Sequence, residues 1–77
     1  MEVAPARTLD LTGVDNGMQL ALIAVAMSTM RSGDVVEVRV SDPALLADFS
    51  AWCRATRNRL LEHTSENGAL RLVIRKR

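Results

Sequence analysis

Polar and apolar residues alternate in three short stretches of this chain and follow a helical period in two longer ones. Thr8-Leu9-Asp10-Leu11-Thr12 alternates with period two, the pattern of a half-buried strand, with Leu9 and Leu11 facing the core. Val35 to Val40 repeats it, with Val36, Val38 and Val40 on one face and Glu37 and Arg39 on the other. Ala69 to Arg75 does so again, with Leu70, Leu72 and Ile74 inward and Arg71 and Arg75 outward. Arg59 to Ser65 is strand-like, and Asn67-Gly68 after it is a strong hairpin signal.

Between the first two strands lies the most apolar segment, Met18 to Met30. Leu20, Ile23, Met27 and Met30 recur at helical spacing, and no charge occurs between Asp15 and Arg31. A helix this apolar all round is expected to be buried on more than one side. Asn16 reads as its N-cap, with Gln19 reaching back as in a capping box, and Ser32-Gly33 as its stop. A second helix starts at Asp42, with Pro43 in its first turn, and buries Leu45, Phe49, Trp52, Cys53 and Thr56. Asp48, Arg54 and Arg57 point outward.

The order β-α-β-α-β-β predicts an α/β two-layer sandwich of the α+β type. Its sheet is a four-stranded mixed one, opened by a right-handed parallel crossover. Strands with one polar face place both helices on the same side of that sheet. Residues 1–7 read as a flexible N-terminus and 8–77 as a single domain.

Composition narrows the function classes. Seventy-seven residues, 48% apolar and 25% charged, suit one small globular domain. A net charge of +1 gives no overall pull toward nucleic acid or an anionic membrane. The apolar run from Met18 to Met30 is short of the roughly 20 residues of a membrane span. Glu2, Asp10 and Asp15 before it are wrong for a signal peptide. One cysteine allows no internal disulfide and fits a cytoplasmic location.

Several local words, in order, resemble the TusA/SirA-like family of small sulfur-carrier proteins. They are Leu9-Asp10 with Gly13, Ser32-Gly33-Asp34, Ser41-Asp42-Pro43, Phe49 with Trp52-Cys53, Leu60-Leu61-Glu62 and Leu72-Val73-Ile74-Arg75-Lys76. The resemblance runs from about Thr8 to Lys76. It implies sulfur transfer as a persulfide on the cysteine of a Cys-Pro-x-Pro motif. Here Asn16 stands at the cysteine position, and Gly17 and Gln19 stand at the two prolines. A cysteine at a helix N-terminus has its thiolate stabilised by the dipole and free N–H groups, so the motif's chemistry needs the residue that is missing. The family's Gly-His before the third strand is replaced by Arg57-Asn58.

Cys53, the one thiol, is a substitute persulfide site or a small core hydrophobe. Its stripe with Leu45 and Phe49, and its place late in a helix, favour the core. Asn16 with Asp15 is read as a cap rather than a reactive pair, and Asp15 would repel an anion at that helix end. The resemblance implies Arg or Lys on the first helix's outer side, where Ala24, Val25 and Ser28 stand. Met18, Leu22 and Val25 are then either packed against the second helix or a protein-docking surface. Arg54, Arg57 and Arg59, and Arg75, Lys76 and Arg77, read as a solvated basic rim. RNA binding is less favoured, because the one aromatic pair, Phe49 and Trp52, looks buried. His63 lacks a metal-ligand partner.

The leading reading is a non-catalytic interaction module of sulfur trafficking with no cofactor and no metal. Its partner is a protein, a sulfur-relay component or a second copy, and neither membrane nor nucleic acid. The candidate contact residues are Asp15, Asn16, Gly17, Met18, Leu22 and Val25. The alternatives are a sulfur carrier using Cys53 and an RNA-binding domain.

Overall fold

The computed structural model describes residues 5–77, and Asn16 by its backbone only. Four strands and two helices follow in the expected order: β1 Arg7–Asp10, α1 Asn16–Ser28, β2 Val35–Val40, α2 Leu46–Thr56, β3 Arg59–Glu66 and β4 Ala69–Arg75. The sheet order is β1-β2-β4-β3. β1 runs parallel to β2, with Leu9 opposite Val38, and the other two pairings are antiparallel. The expected two-layer α+β sandwich is the fold of this chain.

One core fills the space between the sheet and the helices. Val36, Val38 and Val40 of β2 and Leu70, Leu72 and Ile74 of β4 line the sheet side. Ile23, Met27 and Met30 close it from α1 and its end, and Phe49 and Cys53 close it from α2. Both helices therefore cover one face, as strands with a single apolar face require. The other face carries charge: Arg71 Nε donates to Glu37 at 2.6 Å, and its Nη1 donates to Glu62 at 3.2 Å. Leu61 is the extra residue of a bulge between Leu60 and Glu62, so Leu60 packs on the core while Leu61 is exposed.

The boundaries differ from expectation where side chains intercept the backbone. β1 ends at Asp10 because Asp10 Oδ1 takes the Thr12 N–H at 3.0 Å and turns the chain, although Leu11 N–H still reaches Arg39 O at 2.8 Å. At the other end of β1, Ala6 N–H donates to Val35 O at 2.7 Å. The second helix opens as a 3₁₀ turn over Pro43–Leu45, with Asp42 Oδ1 accepting the Ala44 N–H at 2.9 Å. Thr56, placed inward by its spacing, is exposed, and its hydroxyl bonds back to Trp52 O at 2.7 Å. Asn67 and Gly68 both have positive φ, 49° and 78°, as a two-residue hairpin turn requires.

α1 departs most from expectation. It buries one face only, and Met18, Leu22 and Val25 lie in solvent at 51%, 38% and 67% exposure. It also ends at Ser28, earlier than its apolar pattern suggests, with no basic residue in its last turn. The charge that faces its C-terminal carbonyls comes from the far end of the chain. Lys76 Nζ donates to Met27 O and to Met30 O, each at 2.6 Å. The Lys76 backbone is held there by Gly33 N–H on its carbonyl and by its own N–H on Asp34 O, both at 2.8 Å.

Lys76→Met removes both charge-assisted bonds while keeping the stem. It should lower unfolding stability by about 1–3 kcal/mol in urea denaturation. A loss indistinguishable from that of an exposed Lys or Arg substitution would mean that α1 does not depend on this cap.

Candidate functional site

The loop between β1 and α1 is tied down from three sides. Val14 N–H donates to Leu11 O at 3.0 Å, closing a turn that passes through Gly13 at φ +84°. A side chain at that φ would be strained. Gly13 N–H donates to Ser41 Oγ at 2.9 Å, linking this loop to the one after β2. Thr12 donates to Asp10 Oδ1 through its N–H and its hydroxyl, and these bonds hold the Asp10 carboxyl below its ordinary pKa.

Asp15, not Asn16, is the N-cap. Its backbone is extended, its Oδ1 accepts the Gly17 N–H at 3.3 Å, and its carbonyl accepts the Met18 N–H at 2.9 Å. Asn16 is the first helical residue, and its side chain lies outside the described residues. Both residue types are good caps, so adjacent Asp and Asn leave the register open in sequence. The inward stripe also bears on the expected capping box, because it takes Gln19 away from the helix start. Counting four back from Ile23 gives Gln19, which is 1% exposed.

With the cap at Asp15, Gln19 is the fourth helical residue rather than the third, and the capping box expected of it does not form. Gln19 Nε2 instead donates to Val14 O at 3.1 Å, while its buried Oε1 has no hydrogen-bond partner among the described residues. This bond joins the two positions that a hydrophobic staple would join by packing.

The chemistry open to this helix end follows. A thiolate or bound anion there would use the free amides of the first turn. Asp15 already takes those of Gly17 and Met18, one with its carboxylate and one with its carbonyl. The Asp15 carboxylate thus already sits at the helix end where an anion would bind, on the Gly17 amide. Gly17 is exposed, and beyond its own chain neighbours and the local helix backbone no described atom lies within 4 Å of where its Cβ would sit.

The remaining candidates lie elsewhere. Cys53 is 2% exposed in the core beneath α2, and burial pushes its thiol pKa up, away from the thiolate that sulfur transfer needs. Met18, Leu22 and Val25 share the outer side of α1 with Ala21, Ala24 and Ser28, all exposed. Met18 directly follows the motif loop. His63 stands opposite Leu72 on β3, and no three His, Cys, Asp or Glu side chains among the described residues are placed to hold a metal. No helix among them is long and apolar enough to cross a membrane.

Comparison with known proteins gives one answer. The model of the family described as sulfurtransferase TusA matches residues 7–76. A Neisseria meningitidis serogroup A protein, named as a candidate sulfur carrier, is 33% identical over 69 residues, covering 90% of this chain and 93% of the relative. The sulfur carrier protein TusA of Allochromatium vinosum is 31% identical over 68 residues, covering 88% and 90%. A Bacillus subtilis protein, also named as a candidate sulfur carrier, is 31% identical over 70 residues, covering 91% and 93%.

Two substitutions separate cap from neighbour. Asp15→Ala should cost about 1 kcal/mol in urea denaturation, whereas Asn16→Cys should cost less than about 0.5 kcal/mol and leave the circular dichroism spectrum unchanged. The reverse order would return the cap to Asn16 and undo the register drawn above.

Proposed function

The chain belongs to the TusA sulfurtransferase family, and from that premise we propose that it is a non-catalytic interaction module of sulfur trafficking. It docks on a sulfur-relay protein through the start of α1 at Asp15, Asn16 and Gly17 and the adjoining outer face of the helix. The observation that carries this reading is the filled helix end. Where the family motif needs a thiolate, the described first-turn amides of Gly17 and Met18 are bonded to Asp15, and the only thiol of the chain is buried in the core.

The outer face of α1 supports binding in place of chemistry. Met18, Leu22 and Val25 follow each other at helical spacing, and no charged residue interrupts them. Burying such side chains stabilises a complex by about 1.5–3 kcal/mol each at full burial. The strip from Met18 to Val25 is only about 10 Å long. It is too small by itself for the roughly 800 Å² per partner of a stable interface. That favours a transient partner, extended by contacts to the motif loop, over a permanent dimer of this chain.

The alternative, sulfur carried on Cys53, is disfavoured by burial and by the raised thiol pKa. RNA binding is less favoured, because Phe49 is buried and Trp52 half-buried, leaving no fully exposed Phe, Tyr or Trp ring for stacking.

A double substitution, Leu22→Glu with Val25→Glu, puts charge into the strip without touching the core. Binding to a cysteine desulfurase, the usual donor for such relays, is measured by biolayer interferometry. The double variant should bind at least about tenfold more weakly than wild type, with an unchanged thermal midpoint. Equal affinities would remove α1 from the interface. Static light scattering that gave a tight dimer of the wild-type chain would replace the relay partner with a second copy.

A further inference from the structure

The net charge of +1 conceals a separation of charge that only the fold reveals. β2 begins at Val35, opposite Arg75 near the end of β4, and Arg75 stands opposite Arg59 at the start of β3. α2 ends two residues before Asn58, whose Oδ1 accepts the Arg77 N–H at 3.0 Å. Arg57, Arg59, Arg75 and Arg77, from two distant parts of the sequence, therefore meet at one corner of the sheet. Asp10, Asp15, Asp42 and Glu66 lie at the opposite end, where β1, β2 and β3 finish and α1 starts.

The corner carries two costs, both incurred by arginines. Arg59 and Arg75 are a direct cross-strand pair on the face without helices, and like charges opposite one another destabilise a sheet. Arg57 closes α2 in the left-handed conformation, φ 61° and ψ 21°, a place that glycine takes without strain. No ion pair among the described residues offsets the repulsion. The salt bridges among the described residues are those of Arg71 with Glu37 and Glu62. Asp34, the acid nearest this corner along β2, turns its Oδ2 to the Arg31 N–H at 3.0 Å. Lys76 is engaged with the end of α1. The four guanidinium groups have no hydrogen-bonded acceptor among the described residues.

We propose that this corner is a second docking surface, for an acidic segment of a protein partner. Four guanidinium groups in one corner offer paired donors to carboxylates, which Arg binds as a fork. A carboxylate partner fits better than nucleic acid, because neither Phe49 nor Trp52 is exposed for base stacking. It also fits better than a membrane, because Arg59 and Arg75 project from a strand face whose next row holds Glu37 and Glu62, acids that an anionic bilayer would repel. The corner lies at the end of the sheet away from the motif loop. A partner held here leaves that loop and the strip of α1 free.

The probe is a fluorescein-labelled poly-glutamate peptide, titrated with the native chain at about 150 mM salt, where only charges within about 8 Å act strongly. The wild-type chain should bind it saturably. Arg59→Gln with Arg75→Gln should weaken binding at least about tenfold, and Arg39→Gln, the same kind of change at the other end of the sheet, by no more than about twofold. Arg57→Gly should weaken binding while raising the thermal midpoint, so it reads out binding even if the double variant fails to fold. Three results would overturn the proposal: no binding by wild type, equal loss in Arg39→Gln, or tighter binding to oligouridylate or phosphatidylserine vesicles than to poly-glutamate. Because these variants leave α1 untouched, their outcome is independent of the interface proposed for its outer face.

Discussion

α1 is a helix without a charge of its own, and its ends have to be satisfied by groups outside it. Each end leaves backbone groups unpaired, positive at the start and negative at the finish. Asp15 supplies the anion at one end and Lys76 the cation at the other, from 61 residues further along the chain (76 minus 15). The second contact also fixes the architecture. To reach Met27 O and Met30 O, β4 has to run antiparallel to β2 and end beside the turn after α1, which its pairing of Arg75 with Val35 achieves. With both ends held, the inward stripe of Ile23, Met27 and Met30 meets the sheet, and the rest of α1 is left in water.

The same constraint bears on chemistry. In the family's motif, an ionised sulfur sits at the start of this helix and draws on its dipole. Here that role is taken by a carboxylate one residue earlier, with Asp15 on the Gly17 N–H. A carboxylate caps a helix well but transfers no sulfur. On the proposed reading the helix keeps its cap and the motif gives up its nucleophile. Membership of the TusA family and the lack of a cysteine at its motif are therefore compatible, because the fold needs an anion at that helix end and the reaction needs a nucleophile.

Much of this was legible in sequence, and what was not has identifiable causes. β2 and β4 read correctly because their valines, leucines and Ile74 alternate strictly, and the Asn67-Gly68 turn because few other residues adopt its backbone. The family was legible because its words occur in order. The cap register was not, since Asp15 and Asn16 are equally good N-caps and only the bond from Gly17 N–H to Asp15 Oδ1 separates them. The bond from Lys76 to α1 was invisible because it joins residues 46 and 49 apart. Whether Met18, Leu22 and Val25 pack against α2 or form an exposed strip stayed open in sequence, because a uniformly apolar helix does not mark which side faces water; all three are exposed. The arginine corner was split into two sequence clusters, and strand pairing alone unites them.

This member of the family is proposed to bind within a sulfur relay without carrying sulfur. The most direct measurement is the intact mass of the chain after incubation with a cysteine desulfurase, cysteine and the desulfurase's cofactor. Its mass should stay unchanged under conditions that load a family member bearing the motif cysteine. A stoichiometric gain of one sulfur atom, abolished by Cys53→Ser, would contradict that reading and make the buried thiol the carrier.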